Sequence, residues 1–537
     1  MIQLEQNKPN VVLILADDLG YGDVSSFNPD SKIKTSNIDA LAGAGMRFMD
    51  SHATSALCTP SRYGLLTGRY NWRSRLKSFV CPGDSEPLIE KSRRTMAQML
   101  KDQGYQTAAV GKWHLGLGWH LKDEYDFDRF GLNADEFAVP ETRMGRDGNF
   151  DPTIGLIDME GLDIDYSKPI AHGPLQMGFD YFYGTPASLD QPPFVYIEND
   201  RVVEEPTEIT GVPGLDRIGA SQQKAWQIGV KAPHFIHEEV PANMQNKVLE
   251  LIEQFAEGDR PFFLYYPVHL VHGPILPLPE FEGKSGIGDY GDWVLQLDAY
   301  VGQITDKLKE KGLFGNTIFI FTSDNGASGV ADFSSLIKQG HNPSHHFRGH
   351  KSDIWEGGHR EPTIVSYPPM IKGGTSSNHM VSLSDLYRTL AELTGAEIGD
   401  NEAEDSVSNL TIWKGNEQSI RNDIVHSSGN GGFSIRKGHW KLNLVTDGGG
   451  MDLIGPDISF MPSELFDLSR DVKELQNVID QHPDIIESLM NDLKDYVKNG
   501  RSTPGGPQQN ERNNPTGKWR QLEWMDGYGD YIEEFKK

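Results

Sequence analysis

Short, continuously apolar segments separated by amphipathic sequence set the strongest limit on how this chain folds. Val11-Val12-Leu13-Ile14-Leu15-Ala16 precedes a helical pattern over residues 37–44, and Thr107-Ala108-Ala109-Val110 follows one over residues 95–102 that stops at Gly104. Pro261-Phe262-Phe263-Leu264-Tyr265-Tyr266 follows a pattern over residues 243–256, with Met244, Val248, Leu251, Ile252 and Phe255 at helical spacing and Gly258 behind it. Thr317-Ile318-Phe319-Ile320-Phe321 follows a helical pattern over residues 293–311 closed by Gly312. Strands without polar alternation are buried on both faces, and strands that alternate with helices form a parallel sheet between helical layers. The expected fold class is α/β, with a mostly parallel central sheet flanked by helices.

Chemistry-bearing residues stand at the end of each of these strands: Asp17-Asp18, then Gly111-Lys112-Trp113-His114, then His269 and His272, then Ser323-Asp324-Asn325-Gly326. In open α/β sheets the carboxyl ends of the strands share one edge, where ligands bind, so these groups are expected to converge in one cleft. Each acidic pair alone reads as a turn or a helix cap. Together, three carboxylates and an amide make an oxygen ligand set for a hard cation such as Ca²⁺ or Mg²⁺. Cys58-Thr59-Pro60-Ser61-Arg62 is a cysteine followed by a helical turn, with Pro60 expected near the first helical position. Chemistry alone leaves three readings of Cys58: a small buried hydrophobe, half of a disulfide to Cys81, or a thiolate nucleophile beside Arg62.

After about residue 420 the texture changes. Residues 433–444 read as two alternating strands around a turn, residues 484–497 as an amphipathic helix, and residues 500–519 as irregular structure. The expected division is a catalytic α/β domain over residues 1–420 and a smaller α+β domain over residues 421–537 that closes one side of the cleft. The acidic stretch from Asp158 to Asp165 reads as a solvated loop. His341, His345, His346 and His350 lie around Pro343, which interrupts helical ligand spacing, so this segment reads as a substrate-recognition loop with His345, His346 and Arg348 as contacts. Trp113 and Trp119 read as core packing or as stacking platforms for a sugar.

Charge excludes some partners. Fifty Lys and Arg stand against 77 Asp and Glu, a formal charge of −27, which argues against a general nucleic-acid or membrane-surface binder. An anionic substrate has to be captured by local positive charge. No apolar run approaches the roughly 18 residues of a membrane span. The first residues, Met1-Ile2-Gln3-Leu4-Glu5, lack an apolar leader, which implies a cytosolic protein or a trimmed chain.

Residues 58–69, Cys-Thr-Pro-Ser-Arg-Tyr-Gly-Leu-Leu-Thr-Gly-Arg, resemble the signature Cys-x-Pro-Ser-Arg-x-x-x-Leu-Thr-Gly-Arg of the type I, formylglycine-dependent sulfatases of the alkaline phosphatase superfamily. The likeness continues through residues 9–23, 111–116, 178–184, 323–326, 355–360, 436–442 and 464–468, so it covers nearly the whole chain. It implies an alkaline phosphatase-like fold and hydrolysis of a sulfate ester, with a sulfated carbohydrate as substrate. It further implies that a maturation enzyme oxidises Cys58 to formylglycine. Asp17, Asp18, Asp324, Asn325 and residue 58 would hold calcium, in preference to magnesium. Arg62 matches the residue that steadies the aldehyde hydrate, Lys112 and Lys351 the lysines that grip sulfate, His272 the general acid and His114 the base. Ser188 aligns with a family serine that contacts sulfate, and His272 is preferred to His269 because Gly273-Pro274 follow it. Family habit implies a periplasmic or secreted protein. Two competing functions are a phosphonate or phosphate ester hydrolase of the same superfamily and a non-catalytic binder of sulfated glycans.

Overall fold

The computed structural model describes residues 8–130, 161–212, 223–416, 420–450, 458–511, 519–529 and 531. Among these, the largest sheet has ten strands: β1 (Asn10–Ala16), β2 (Met46–Phe48), β3 (Gln106–Lys112), β4 (Tyr181–Thr185), β5 (Ile197–Glu198), β6 (Arg201–Val202), β7 (Phe262–Pro267), β8 (Thr317–Ser323), β9 (Thr363–Ser366) and β10 (Thr375–Ser377). Their spatial order is β10-β2-β9-β8-β1-β7-β3-β4-β5-β6. The middle five, from β8 to β4, run parallel, whereas β9 and β5 join antiparallel. Every residue of β1, β7 and β8 is buried, as expected of strands covered on both faces.

Two groups of helices supply that cover. Helices α1 (Ser36–Ala44), α4 (Val240–Ala256) and α5 (Asp289–Glu310) pack together, as do α2 (Cys58–Thr67), α3 (Met96–Asp102) and α6 (Asp385–Thr394). The anticipated helices are present, and α4 and α5 begin earlier than their apolar periodicity shows. α4 carries Pro241 in its first turn, and the first turn of α5 holds Asp292, whose carboxylate accepts from the Gly283 and Ser285 N–H groups (both 2.7 Å). A proline and a polar tie to the preceding loop leave no hydrophobic signal. The two outermost strands on each side of the sheet, β10 and β2, β5 and β6, are only two or three residues long, too short to read as a period.

The carboxy-terminal unit is an antiparallel four-stranded sheet, β11 (Asp423–Ser427), β12 (Phe433–Lys437), β13 (Trp440–Asn443) and β14 (Glu464–Asp467), with α7 (Pro483–Asn499) against it. Leu489, Leu493 and Val497 of α7 enter its core, which Tyr70 and Trp72 from the other unit also join. Arg73 is fully enclosed and pairs with Asp405 through Nε (2.8 Å) and Nη2 (2.9 Å), while its Nη1 donates to Tyr496 O (2.8 Å). The two cores are therefore stitched together by aromatic packing and by the hydrogen bond that the buried Arg73 donates across to Tyr496 O.

One loop expectation is corrected. Residues 158–160 of the acidic stretch lie outside the described residues, but the remainder is packed rather than solvated: Leu162, Ile164 and Tyr166 form a small core with Val230, and Asp163 is buried. The apolar residues between the acids decide its placement.

Candidate active site

The register of the parallel strands assembles the acids. Ala16 lies beside Ser323, so the residues that leave β1 and β8, Asp17-Asp18 and Asp324-Asn325, emerge at one level. Asp17, Asp18, Asp324 and Asn325 are all buried. The Asp18 N–H donates to Asp324 Oδ1 (3.2 Å), and Asn325 Nδ2 donates to Asp18 Oδ1 (2.7 Å). Asp17 Oδ1 and Asn325 Oδ1 are enclosed without a hydrogen-bond donor. Buried oxygens are rarely left unpaired, and three carboxylates with a free amide oxygen suit a hard divalent cation.

Cys58 begins α2, a helix in which every side chain is buried, after an extended Leu57. Pro60 is its third residue rather than its first, still within the turn whose N–H groups have no intrahelical acceptor. The helix ends at Gly68, whose positive φ of 65° favours a residue without Cβ. Cys58 and Cys81 are not joined in a disulfide, which removes one reading of Cys58. One turn along the helix, Arg62 Nε and Nη2 both donate to Asp324 Oδ2 (3.0 and 2.7 Å) and Nη1 donates to Lys112 O (3.0 Å). Ligand atoms of Asp17, Asp18, Cys58 and His272 all lie within 4.8 Å of one another.

Two lysines neutralise these carboxylates. Lys112, the last residue of β3, reaches Asp17 Oδ2 (2.6 Å), and Lys351 reaches Asp18 Oδ1 (2.7 Å). Burial works to raise Asp17 and Asp18, but Lys112 and Lys351 respectively, with His272, outweigh it and hold both carboxyls below their ordinary range. Asp324 is raised instead, by burial and the neighbouring Asp17 charge, in spite of Arg62.

The histidines diverge. Trp113 N and His114 N donate to Thr185 O and Pro186 O, pinning the turn after β3, in which His114 has φ 55°, against the segment that carries Ser188. Neither ring nitrogen of His114 has a partner, and burial followed by Lys112 and Arg62 drives its pKa well down. His272 Nε2 stands 3.7 Å from Asp18 Oδ2. Burial and Lys351 press its pKa down, but Asp18 and Asp17 prevail and lift it to about 9. His269 is held by Thr185 Oγ1 at 2.8 Å, so His272 is the one that enters the cluster. Ser188 Oγ is buried without a partner.

The recognition-loop residues are more dispersed. His345 stacks on Tyr21 and abuts His346 (ring centroids 6.3 and 4.2 Å). Arg348 lies over the Trp355 ring (3.6 Å) and donates to Glu474 O (2.9 Å) of the carboxy-terminal unit. His341 is bound to Asp23 (2.8 Å), and among the described residues this histidine-rich loop forms no metal-holding group. Trp113 is core, donating to Gly116 O (3.0 Å) and packing on Phe179 and Phe182; the Trp119 indole donates to Gly83 O (3.2 Å) and packs on Tyr166.

Sequence reading missed three acids. Asp23 organises the base of the site through His341 and the Tyr290 hydroxyl (2.5 Å). Asp190 Oδ1 lies 3.9 Å from His272 Nδ1. Glu361 is wholly enclosed, and burial with Asp324 and Asp18 nearby drives its pKa well up. Its place behind the short helix Glu356–His359 carries no spacing signal.

The sulfatase family model matches residues 9–396. The chain is 34% identical over 532 residues to an N-acetylgalactosamine-6-O-sulfatase of Bacteroides thetaiotaomicron, covering 91% of this chain and 93% of that protein. It is 30% identical to arylsulfatase A of Bos taurus, covering 90% and 86%. A solved structure from work on glycosaminoglycan metabolism by Bacteroides thetaiotaomicron superposes with a TM-score of 0.73 at 33% identity, covering 91% of this chain and 99% of that one.

Proposed function

Because the chain belongs to the sulfatase family and is a sulfuric ester hydrolase, we propose that it removes sulfate from a sulfated carbohydrate and that the cluster around Cys58 performs the reaction. The observation that carries the proposal is the convergence of Asp17, Asp18, Cys58 and His272 with Arg62, Lys112 and Lys351 bonded to the same acids. Relatives support the substrate class: the 34% identical protein is named an N-acetylgalactosamine-6-O-sulfatase, so 6-O-sulfated N-acetylgalactosamine is the first substrate to test.

The reaction consumes water and an ester R–O–SO₃⁻ and yields R–OH, sulfate and a proton. Formylglycine, made from Cys58 by a maturation enzyme, would supply a hydrated aldehyde as the nucleophile toward sulfur. Asp17, Asp18, Asp324, Asn325 and residue 58 would hold Ca²⁺, in preference to Mg²⁺, which supplies Lewis-acid polarisation of the sulfate. Lys112 and Lys351 contact sulfate oxygens and stabilise the charge that develops on them, with Ser188 as a further hydrogen-bond donor. Arg62, one turn along α2 from residue 58, fixes Asp324 and would steady the aldehyde hydrate. His272 gives its proton to the leaving alcohol oxygen. Its Nδ1 faces Gly273 O at 2.5 Å, so the transferable proton sits on Nε2. His114, neutral and with both nitrogens unpartnered, accepts the proton whose removal releases sulfate. A raised acid and a lowered base in one cleft are the pairing acid–base catalysis requires. His345 and His346 belong to the proposed rim that touches the sugar, whereas Arg348 braces that rim on the carboxy-terminal unit.

Among the described residues no helix is long and apolar enough to cross a membrane; a periplasmic or secreted location is part of the proposal, tested by fractionating the native host. The central test is release of free sulfate from defined sulfated saccharides and matched phosphate esters, with residue 58 read by mass spectrometry. Sulfate release from a 6-O-sulfated sugar is expected. Preference for the phosphate ester, or no release by protein carrying formylglycine, would overturn the proposal.

A further inference from the structure

The segment that carries Ser188 also carries polar groups that the reaction leaves idle. Residues 188–191 form a turn closed by the Gln191 N–H, which donates to Ser188 O (3.1 Å), and the Gln227 N–H ties this turn to a second segment by donating to Asp190 O (3.0 Å). Just ahead of it, Thr185 O and Pro186 O accept from Trp113 N and His114 N (3.1 and 2.9 Å). Backbone bonds therefore fix the turn beside the strand end that carries Lys112 and His114. Its side chains are left unmatched: Ser188 Oγ, Asp190 Oδ1, Gln191 Oε1 and, across the tie, Gln227 Nε2 are enclosed without a hydrogen-bond partner among the described residues. Native interiors leave few such atoms, so four on two tied segments point to a ligand that supplies the missing bonds. Carboxylate and amide oxygens accept, an amide nitrogen donates, and a hydroxyl does either. A polyhydroxylated molecule is the match.

Asp190 is the charged member of this group. Its Oδ1 stands 3.9 Å from His272 Nδ1, beyond hydrogen-bond reach, and that nitrogen is already directed at Gly273 O (2.5 Å). The carboxylate is thus beside the acid that meets the leaving oxygen, without being bonded to it. Asp17, Asp18 and Asp324 are each engaged by Lys112, Lys351 or Arg62, whereas among the described residues no lysine or arginine pairs with Asp190. Its side chain is 25% exposed, so a ligand can reach it. A carboxylate without a cationic partner near the seat of an anionic ester weakens binding unless it accepts from another part of the substrate.

We propose that Asp190 is a specificity residue, which accepts a hydrogen bond from the free sugar hydroxyl nearest the scissile ester and repels a second anionic group at that position. The inference rests on the sulfatase reading of the Cys58 cluster. In 6-O-sulfated N-acetylgalactosamine the hydroxyl concerned is the one on carbon 4. The site then favours the sugar that is sulfated at position 6 alone, and a 4,6-disulfated sugar becomes a good substrate only after a separate sulfate-ester hydrolysis has cleared position 4.

The test measures release of the 6-sulfate by the full chain carrying formylglycine, as wild type, Asp190→Ala and the isosteric Asp190→Asn. The substrates are N-acetylgalactosamine 6-sulfate, its 4-deoxy analogue and the 4,6-disulfate. All three lose sulfate from the same primary alcohol, so they make the same demand on His272. Wild-type kcat/KM is expected to be highest for the 6-sulfate. Asp190→Ala is expected to lower that value by about 10–100-fold, the worth of a hydrogen bond to a charged acceptor, and to lower the value for the 4-deoxy sugar far less. Asp190→Asn, which keeps an acceptor oxygen and loses the charge, is expected to narrow the preference for the 6-sulfate over the disulfate by about tenfold or more. Equal losses on the 6-sulfate and the 4-deoxy sugar would overturn the proposal, assign Asp190 to positioning His272, and leave the sulfatase reading intact. Wild-type protein that releases sulfate from 4-nitrophenyl sulfate and from none of the sugars would overturn this inference together with the sugar substrate.

Discussion

Arg62 grips a single oxygen of Asp324 with two of its nitrogens, Nε at 3.0 Å and Nη2 at 2.7 Å, in a place without solvent for either side chain. Removing one partner of such a pair leaves an uncompensated buried charge, at a cost of about 3–5 kcal/mol. Arg62→Ala is expected to lower the thermal midpoint markedly and abolish sulfate release. Arg62→Lys is expected to restore little of either, because an ammonium cannot serve Asp324 and Lys112 O together as the guanidinium does. Thermal melts and sulfate release check both outcomes; a fully active Arg62→Lys would contradict the proposed role.

Lys112 and Lys351 provide local positive charge in a chain whose formal charge is −27. Replacing either by Ala is expected to cut kcat by about 10²–10³-fold, the cost of one charge-stabilising donor. Replacing the exposed Lys309 leaves kcat essentially unchanged. Equal losses in sulfate release would mean that overall charge, rather than these two ammonium groups, governs capture.

Much of this architecture was legible because its signals are local. The apolar runs of β1, β7 and β8 and the acids that leave them depend on neighbouring residues, and strand register then brings Asp17 beside Asp324. The family signature identified Cys58 and Arg62. What escaped depends on distant parts of the chain: Asp23 meets His341 and Tyr290 only once the chain is folded, and the pKa of Glu361 is raised only because the fold encloses it beside Asp324. The two-residue strands β5 and β6 pair without any periodicity to announce them.

Glu474 ties stability to pH. Burial and Glu356 raise its carboxyl from an ordinary 4.5 to about 7 against the pull of Lys441. A group with a raised folded pKa contributes stability that is fully present below its unfolded pKa and lost as pH rises through the folded one. The melting temperature is therefore expected to lose a component between about pH 4.5 and 7 as pH increases. Glu474→Gln, which keeps a neutral side chain of the same shape, is expected to remove that component; an unchanged pH profile would show that another group sets it.

Chelation is expected to separate activity from folding. Lys112, Lys351 and Arg62 already balance Asp17, Asp18 and Asp324, so EGTA should abolish sulfate release while lowering the melting temperature only by the binding energy of the lost ion. Restoring Ca²⁺ should recover activity without refolding. Global unfolding on chelation, seen by circular dichroism, would refute this balance of charges.

The leaving group provides the sharpest check on His272. If its Nε2 proton goes to the departing alcohol, the loss in His272→Ala must grow with the basicity of that alcohol. A nitrophenol leaves readily as its anion and needs little help, whereas a sugar alkoxide does not. His272→Ala is therefore expected to lower kcat/KM for a sugar sulfate by about 10²–10⁴-fold and for 4-nitrophenyl sulfate far less. His114→Ala acts after the alcohol has left, so it should slow turnover of both esters alike. Equal sensitivity of the two esters to His272→Ala would remove the acid role from this residue and point to its contact with Asp18 as its contribution.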